Sequence, residues 1–205
     1  GIPALDTIYI SSNSKFGDRF HEWKGGFSNS KNIEIVVESS TEEENKLGAI
    51  GAIGFLLKQK DINDDLLIIA GDNLFDFDVS HFLSSQRGNN PMVALYDMQN
   101  KDFIRNKYGV VTLDADGIIS NFQEKPDEPL STLISTGCYF FPKHSVSMIH
   151  DYLSNGENPD APGHFISWLS QQMAVQGFVL TPEMRWYDIG SIESYEEANR
   201  IYSEE

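Results

Sequence analysis

Two acids stand out for where they fall along the chain. Asp72 closes the stretch Leu66-Leu67-Ile68-Ile69-Ala70-Gly71-Asp72, just beyond an apolar run and directly after a glycine. In an open α/β sheet, ligands gather outside the carboxyl ends of the strands, so a carboxylate there is well placed to hold a metal ion. It is equally suited to capping the next turn. Asp188 lies in Trp186-Tyr187-Asp188-Ile189-Gly190, after a short aromatic run and before a helical pattern. An acid near a helix start also has an ordinary structural use. Two carboxylates brought together by a fold suit Mg²⁺, which takes one or two carboxylates plus waters and substrate phosphates. Spacing along the chain does not say whether the two converge.

A third element is Glu124-Lys125-Pro126. Lys125 can pair with a phosphate as a point charge. Glu124 can accept hydrogen bonds from sugar hydroxyls. Pro126 ends a strand and fixes the direction of the chain beyond it. A surface ion pair is the commoner meaning of Glu-Lys.

Alternating strand and helix patterns would carry these residues. Residues 7–11, 33–37, 66–70 and 92–96 read as strands, with 66–70 the cleanest buried one. Residues 15–23, 47–57 and 79–86 read as helices, the last with Asp78 as N-cap. Thr41-x-x-Glu44 fits a capping box or a solvated acidic loop equally well. In the second half, 108–113 and 118–123 flank Asp114-Ala115-Asp116-Gly117, a hairpin turn with glycine for the left-handed position. A long strand at 133–141, helices at 145–153 and 165–174, a loop at 154–163, and short strands at 177–180 and 185–187 follow. Ser191 is a candidate cap for a last helix to Tyr202. The pattern predicts one α/β domain over 1–205 with a mixed, mostly parallel sheet, helices on both faces and an inserted hairpin.

Composition narrows the partners. Acids outnumber bases 31 to 15, for a formal charge of −16, which argues against a nucleic-acid backbone as ligand. A small phosphate needs only a local base or a metal ion. No apolar run is long enough to span a bilayer, so no membrane partner is expected. The single cysteine, Cys138, allows no intrachain disulfide, and no secretory signal is visible at Gly1-Ile2-Pro3. A reducing cytoplasmic setting is the expectation.

Each signal is weak alone; their order is specific. Gly71-Asp72-Asn73-Leu74-Phe75, Tyr108-Gly109-Val110-Val111, Glu124-Lys125-Pro126, Ser135-Thr136-Gly137-Cys138-Tyr139-Phe140-Phe141-Pro142 and Trp186-Tyr187-Asp188-Ile189-Gly190 strongly resemble the sugar-1-phosphate nucleotidyltransferases. The likeness is strongest to enzymes of the glucose-1-phosphate thymidylyltransferase type and covers essentially the whole chain. It implies a Rossmann-like nucleotide-diphospho-sugar transferase fold, with a nucleotide side at about 1–97 and a sugar side at about 98–205. It implies transfer of a nucleoside monophosphate from a nucleoside triphosphate, dTTP or UTP, to a hexose 1-phosphate, glucose 1-phosphate. Asp72 and Asp188 would hold Mg²⁺, and with Lys125 they would form the catalytic set. Gly48 would sit near the base. Asn73, Gly109, Glu124, Lys125 and Tyr139 would line the substrate sites. A homo-oligomer is compatible with the family.

One family feature is not found. The resemblance calls for an opening strand and a Gly-Gly-x-Gly-x-Arg loop before this stretch, in a unit of roughly 30–40 residues. The chain is therefore expected to be incomplete at its N-terminal side and inactive by itself. A non-catalytic, nucleotide-sugar-binding homologue and a glycosyltransferase are the competing readings.

Overall fold

The computed structural model of the chain describes residues 5–28, 31–38 and 47–203. It divides into two units, one formed by Gly1–Asn63 with Ile149–Pro162, the other by Asp64–Met148 with Gly163–Glu205. The Thr41–Glu44 capping box lies outside the described residues.

In the first unit, the β-branched runs become β1 (Thr7–Asn13) and β2 (Asn32–Glu38), which pair in parallel with Asn13 opposite Glu38. Parallel strands need a crossover, and α1 (Ser14–Gly26) supplies it. Its Gly17 lies so close to β2 that a Cβ would stand 2.8 Å from a Val37 methyl. The next helix, α2 (Ala49–Lys60), begins at Gly48, whose φ of 75° favours glycine. The backbone N–H groups of Ala49 and Ile50 donate to the carbonyls of Asp160 and Pro159, at 2.8 and 2.9 Å. These carbonyls satisfy donors that the first helical turn cannot pair internally.

The second unit holds β3 (Leu66–Ile69), β4 (Asn73–Phe75), α3 (Val79–Ser84), β5 (Met92–Asp97), β6 (Val110–Leu113) and β7 (Ile119–Gln123). Next come β8 (Leu133–Phe141), α4 (Lys143–Ser154), which runs on into the first unit, α5 (Pro162–Gln172), β9 (Gln176–Val179), β10 (Trp186–Asp188) and α6 (Ile192–Ser203). The main sheet runs β7-β6-β8-β5-β9, with β3 also on β8. β8 pairs along one edge with β5 and along the other first with β6, then with β3. Gly137, at φ 75°, marks the change of neighbour.

Two expectations are corrected here. The sheet is mixed, but it is not mostly parallel: β8 is antiparallel to β3, β5 and β6, and among the described residues of the second unit only β5 and β9 pair in parallel. The reason is connection length. The turn around 114–118 is too short for a crossover and joins the antiparallel pair β6–β7, and β6 lies between β7 and β8 and runs against both. Nor is 66–70 a fully buried strand. Among the described residues β3 pairs with β8 alone, which makes it an edge, and Ile69 is 45% exposed.

Local chemistry explains the elements read correctly. Asp78 caps α3 by accepting from the Ser80 N–H at 2.8 Å. Asp114 Oδ1 accepts from Asp116 and Ile118 N–H at 2.9 Å, and Gly117 takes φ 76°, which closes the β6–β7 hairpin. Ser191 Oγ accepts from Ser194 N–H at 3.1 Å and caps α6. The core packs Phe77, Phe82, Met92, Ala94, Cys138 and Leu180 together, beside a second cluster of Ile104, Val110 and Ile134. No helix among the described residues is long and apolar enough to cross a membrane.

Candidate active site

The short strand β4 was not visible in the sequence, and it is what joins the two acids. It pairs antiparallel with β10, with Phe75 opposite Trp186, Leu74 opposite Tyr187 and Asn73 opposite Asp188. One step further, the Ile189 N–H donates to the Asp72 carbonyl at 2.8 Å. Asp72 and Asp188 therefore occupy adjacent rungs of one ladder.

Side-chain bonds then orient them. Trp186 Nε1 donates to Asn73 Oδ1 at 2.7 Å and to the Thr136 carbonyl at 3.2 Å. Asn73 Nδ2 donates in turn to Asp72 Oδ1 at 2.8 Å. Side chains two residues apart on a strand share a face, so Trp186, Asp188 and the opposed Asn73 lie on one side. The Asn73 amide draws the Asp72 carboxylate towards that side. Asp188 Oδ1 accepts from the Gly190 N–H at 3.0 Å. Tyr108 stands edge-on to Trp186, with ring centres 5.8 Å apart. Burial first, and then the negative charge of Asp188, raises the Tyr108 hydroxyl pKa above its ordinary value.

The donor set fits a hard divalent cation. Among the described residues, only Oδ1 of Asp72 and Oδ1 of Asp188 take internal hydrogen bonds, which leaves Oδ2 of each for other ligands. No group of three or more metal-binding side chains occurs among the described residues. Two carboxylates with open oxygens suit Mg²⁺, which completes its shell with water and phosphate oxygens.

The ladder is locked at its other end by Asp76 and Arg185. Their backbones pair, and the Arg185 N–H and guanidinium Nε both donate to the Asp76 carboxylate. Burial works to raise the Asp76 pKa, but the Arg185 backbone and side-chain bonds and the guanidinium charge outweigh it and hold it below the usual value. A carboxyl depressed in the folded state adds stability that is complete above its unfolded pKa of about 4 and is lost as pH falls through its folded value. Urea unfolding of wild type between pH 5 and 2 should therefore show an acid-side loss that is shallower in Asp76→Asn. Equal slopes in the two proteins would remove Asp76 from the account.

The residues expected on the sugar side lie on the β6–β7 hairpin and β8. Gly109 and Glu124 lie just beyond the paired residues Val110 and Gln123. A Cβ on Gly109 would stand 2.6 Å from the Phe122 ring and 3.4 Å from Glu124 Oε2. The close approach that requires glycine at 109 is thus made by the protein's own chain. Lys125 takes φ 46°, an uncommon conformation for a side-chain-bearing residue. It is held there by its N–H to the Tyr108 carbonyl at 3.2 Å. Such local strain is concentrated at functional positions. Tyr139 is buried, its hydroxyl 3.0 Å from Ser135 Oγ, and burial pushes its pKa up to about 12. Gly48 belongs to the first unit, at the start of α2. Sequence reasoning missed Trp186 as the group that holds Asn73, because nothing in the spacing predicts an indole reaching across a two-strand ladder. Cys138 is buried, its thiol pushed up to about 12 by burial, and it has no part in the site.

The nucleotidyl transferase family model matches residues 5–205. The chain belongs to that family. It is 30% identical over 158 residues to the UTP–glucose-1-phosphate uridylyltransferase of Synechocystis, covering 74% of this chain and 39% of that one. It is 29% identical over 134 residues to the glucose-1-phosphate adenylyltransferase of Lachnospira eligens, covering 65% of this chain and 31% of that one. The chain thus spans well under half the length of these curated relatives. Among solved structures, a UDP-glucose pyrophosphorylase complexed with UDP-glucose superposes with a TM-score of 0.76 at 17% identity, over 97% of this chain and 81% of that one. HddC from Yersinia pseudotuberculosis gives 0.71 at 19% identity, over 97% and 80%. These likenesses establish the nucleotide-diphospho-sugar transferase fold for this member of the family.

Proposed function

We propose that the protein carrying this chain is a sugar-1-phosphate nucleotidyltransferase. The observation that carries the reading is the β4–β10 ladder, which sets Asp72 and Asp188 on adjacent rungs. A phosphate oxygen of the hexose 1-phosphate attacks the α-phosphorus of the nucleoside triphosphate. The bond to the bridging oxygen breaks, and pyrophosphate leaves with the electron pair. No covalent enzyme intermediate is needed; positioning and charge neutralisation do most of the work.

The residues divide the task. Asp72 and Asp188 would hold Mg²⁺, which would supply positive charge against phosphate oxygens. Asn73 fixes the Asp72 carboxylate. Lys125 neutralises the sugar phosphate, Glu124 accepts from ring hydroxyls, and Tyr139 backs that side of the site. The opening of α2 at Gly48 serves the base. A thymidine or uridine triphosphate and glucose 1-phosphate are the proposed substrates, in a cytoplasmic setting. The uridylyl and adenylyl relatives differ in their nucleotide, so the base is varied in the assay.

The deciding assay is pyrophosphate release by the full-length protein, across the common nucleoside triphosphates and a set of hexose 1-phosphates, with and without Mg²⁺. Release is expected only with both substrates and the metal, and fastest with dTTP or UTP. A folded protein that releases none with any pair defeats the reading.

A further inference from the structure

Gly163, the second residue of α5, is a buried glycine with no backbone reason to be one. Its φ lies outside the left-handed region that favours glycine. What forbids a side chain is its surroundings. A Cβ at 163 would stand 1.8 Å from Glu124 Oε2, 3.0 Å from Glu124 Cδ and 2.5 Å from Phe122 Cε1. The same ring and the same carboxylate oxygen crowd Gly109 from the hairpin side. Glu124 and Phe122 are therefore clamped between two glycines that lie far apart in sequence and close in space.

We propose that Gly163 is a positioning residue for the sugar side of the site, its missing side chain forming the seat that fixes the Glu124 carboxylate. This rests on the reading of Glu124 as the acceptor for sugar hydroxyls. Two further features suit the seat. The first turn of a helix presents unpaired N–H groups and a partial positive charge, which favour a carboxylate beside it. Pro162 precedes Gly163 as the first residue of α5, where proline is tolerated and fixes the chain's entry. A fixed carboxylate offers its lone pairs in one direction, so it rewards one hydroxyl arrangement over others. A methyl at 163 evicts the carboxylate oxygen. That oxygen is the far end of a flexible side chain and can move away, whereas the buried Phe122 ring, 2.5 Å from the new methyl, must also shift, so Tm is read beside KM.

The test compares full-length wild type, Glu124→Ala, Gly163→Ala and the double variant. The readouts are KM for glucose 1-phosphate, KM for the nucleotide, kcat and Tm. Glu124→Ala is expected to raise the sugar-phosphate KM roughly tenfold or more, as loss of a charged hydrogen-bond acceptor should. Gly163→Ala is expected to raise it comparably while the nucleotide KM stays at the wild-type value. The double variant should be no worse than Glu124→Ala, because the seat has nothing left to hold. A wild-type sugar KM in Gly163→Ala overturns the proposal, and so does a double variant whose effect is the product of the singles. An unchanged sugar KM in Glu124→Ala overturns the reading of Glu124 itself, and the proposal with it. Should Gly163→Ala fail to fold, Phe122→Leu and Phe122→Leu/Gly163→Ala give the same comparison, with the ring removed and the carboxylate alone against the new methyl. A sugar KM equal in that pair overturns the proposal.

Discussion

Replacing Asp188 by asparagine should lower pyrophosphate release by a factor on the order of 10²–10³, the usual effect of removing one preorganised group that meets charge in a transition state. The substitution keeps shape and removes charge. Among the described residues Asp188 Oδ1 accepts only the Gly190 N–H, a bond that the asparagine carbonyl can still accept, so the backbone of the turn is kept. Nothing in the β4–β10 register depends on the carboxylate, since that pairing is made by main-chain groups. Stability should therefore change little while kcat collapses. The Mg²⁺ concentration for half-maximal rate should rise, because one of two anionic oxygen donors has become neutral. Asp72→Asn should behave alike in rate, with one difference. Its carboxylate takes the Asn73 amide, so the variant must also re-pair Asn73. A rate for Asp188→Asn within a few-fold of wild type, at saturating substrates and metal, would sink the metal-ligand reading.

The convergence behind that expectation was only half legible in the sequence. Asp72 announced itself as an acid after an apolar run, and Asp188 as an acid after an aromatic one. Their meeting depends on β4, three residues long, whose Asn73-Leu74-Phe75 shows no alternation to distinguish it from a loop. Only the distant partner β10 makes it a strand. The long elements behaved otherwise. β8 was legible to the residue because a long apolar-rich run ends directly at Pro142, although its burial alternates only from Leu133 to Cys138. The β6–β7 hairpin was legible from Gly117 and the acids before it, since the turn's geometry is dictated locally. Orientation was not legible. A strand pattern carries no sign of whether its neighbour runs with or against it, and β8 pairs with β3, β5 and β6, none of them next to it in the chain. Gly163 escaped notice for a related reason: a glycine that makes room for a residue in a distant segment has no local signature.

Trp186→Ala should damage both the packing of the second unit and the candidate site. The indole packs against both core clusters, with Tyr96 and Tyr108 each at 5.8 Å between ring centres. Truncation of a packed tryptophan to alanine costs about 3–5 kcal/mol. In a chain of this size that corresponds to a Tm lower by roughly 6–20 °C. The hydrogen bonds add a second loss. Nε1 is the donor to both Asn73 Oδ1 and the Thr136 carbonyl, so its removal takes a partner from each. Phenylalanine separates the two effects. Trp186→Phe keeps most of the packing and loses only the donor, and should cost about 1–3 kcal/mol. Its consequence for catalysis should be out of proportion to that cost. Without the indole, Asn73 is free to rotate, and the Asp72 carboxylate loses its fixed direction. The rate should then fall well below the temperature at which Trp186→Phe begins to unfold, with the Mg²⁺ requirement raised as in Asp188→Asn. If Trp186→Phe is destabilised yet keeps wild-type kcat and metal dependence, the indole is a packing group alone, and Asp72 takes its orientation from another source.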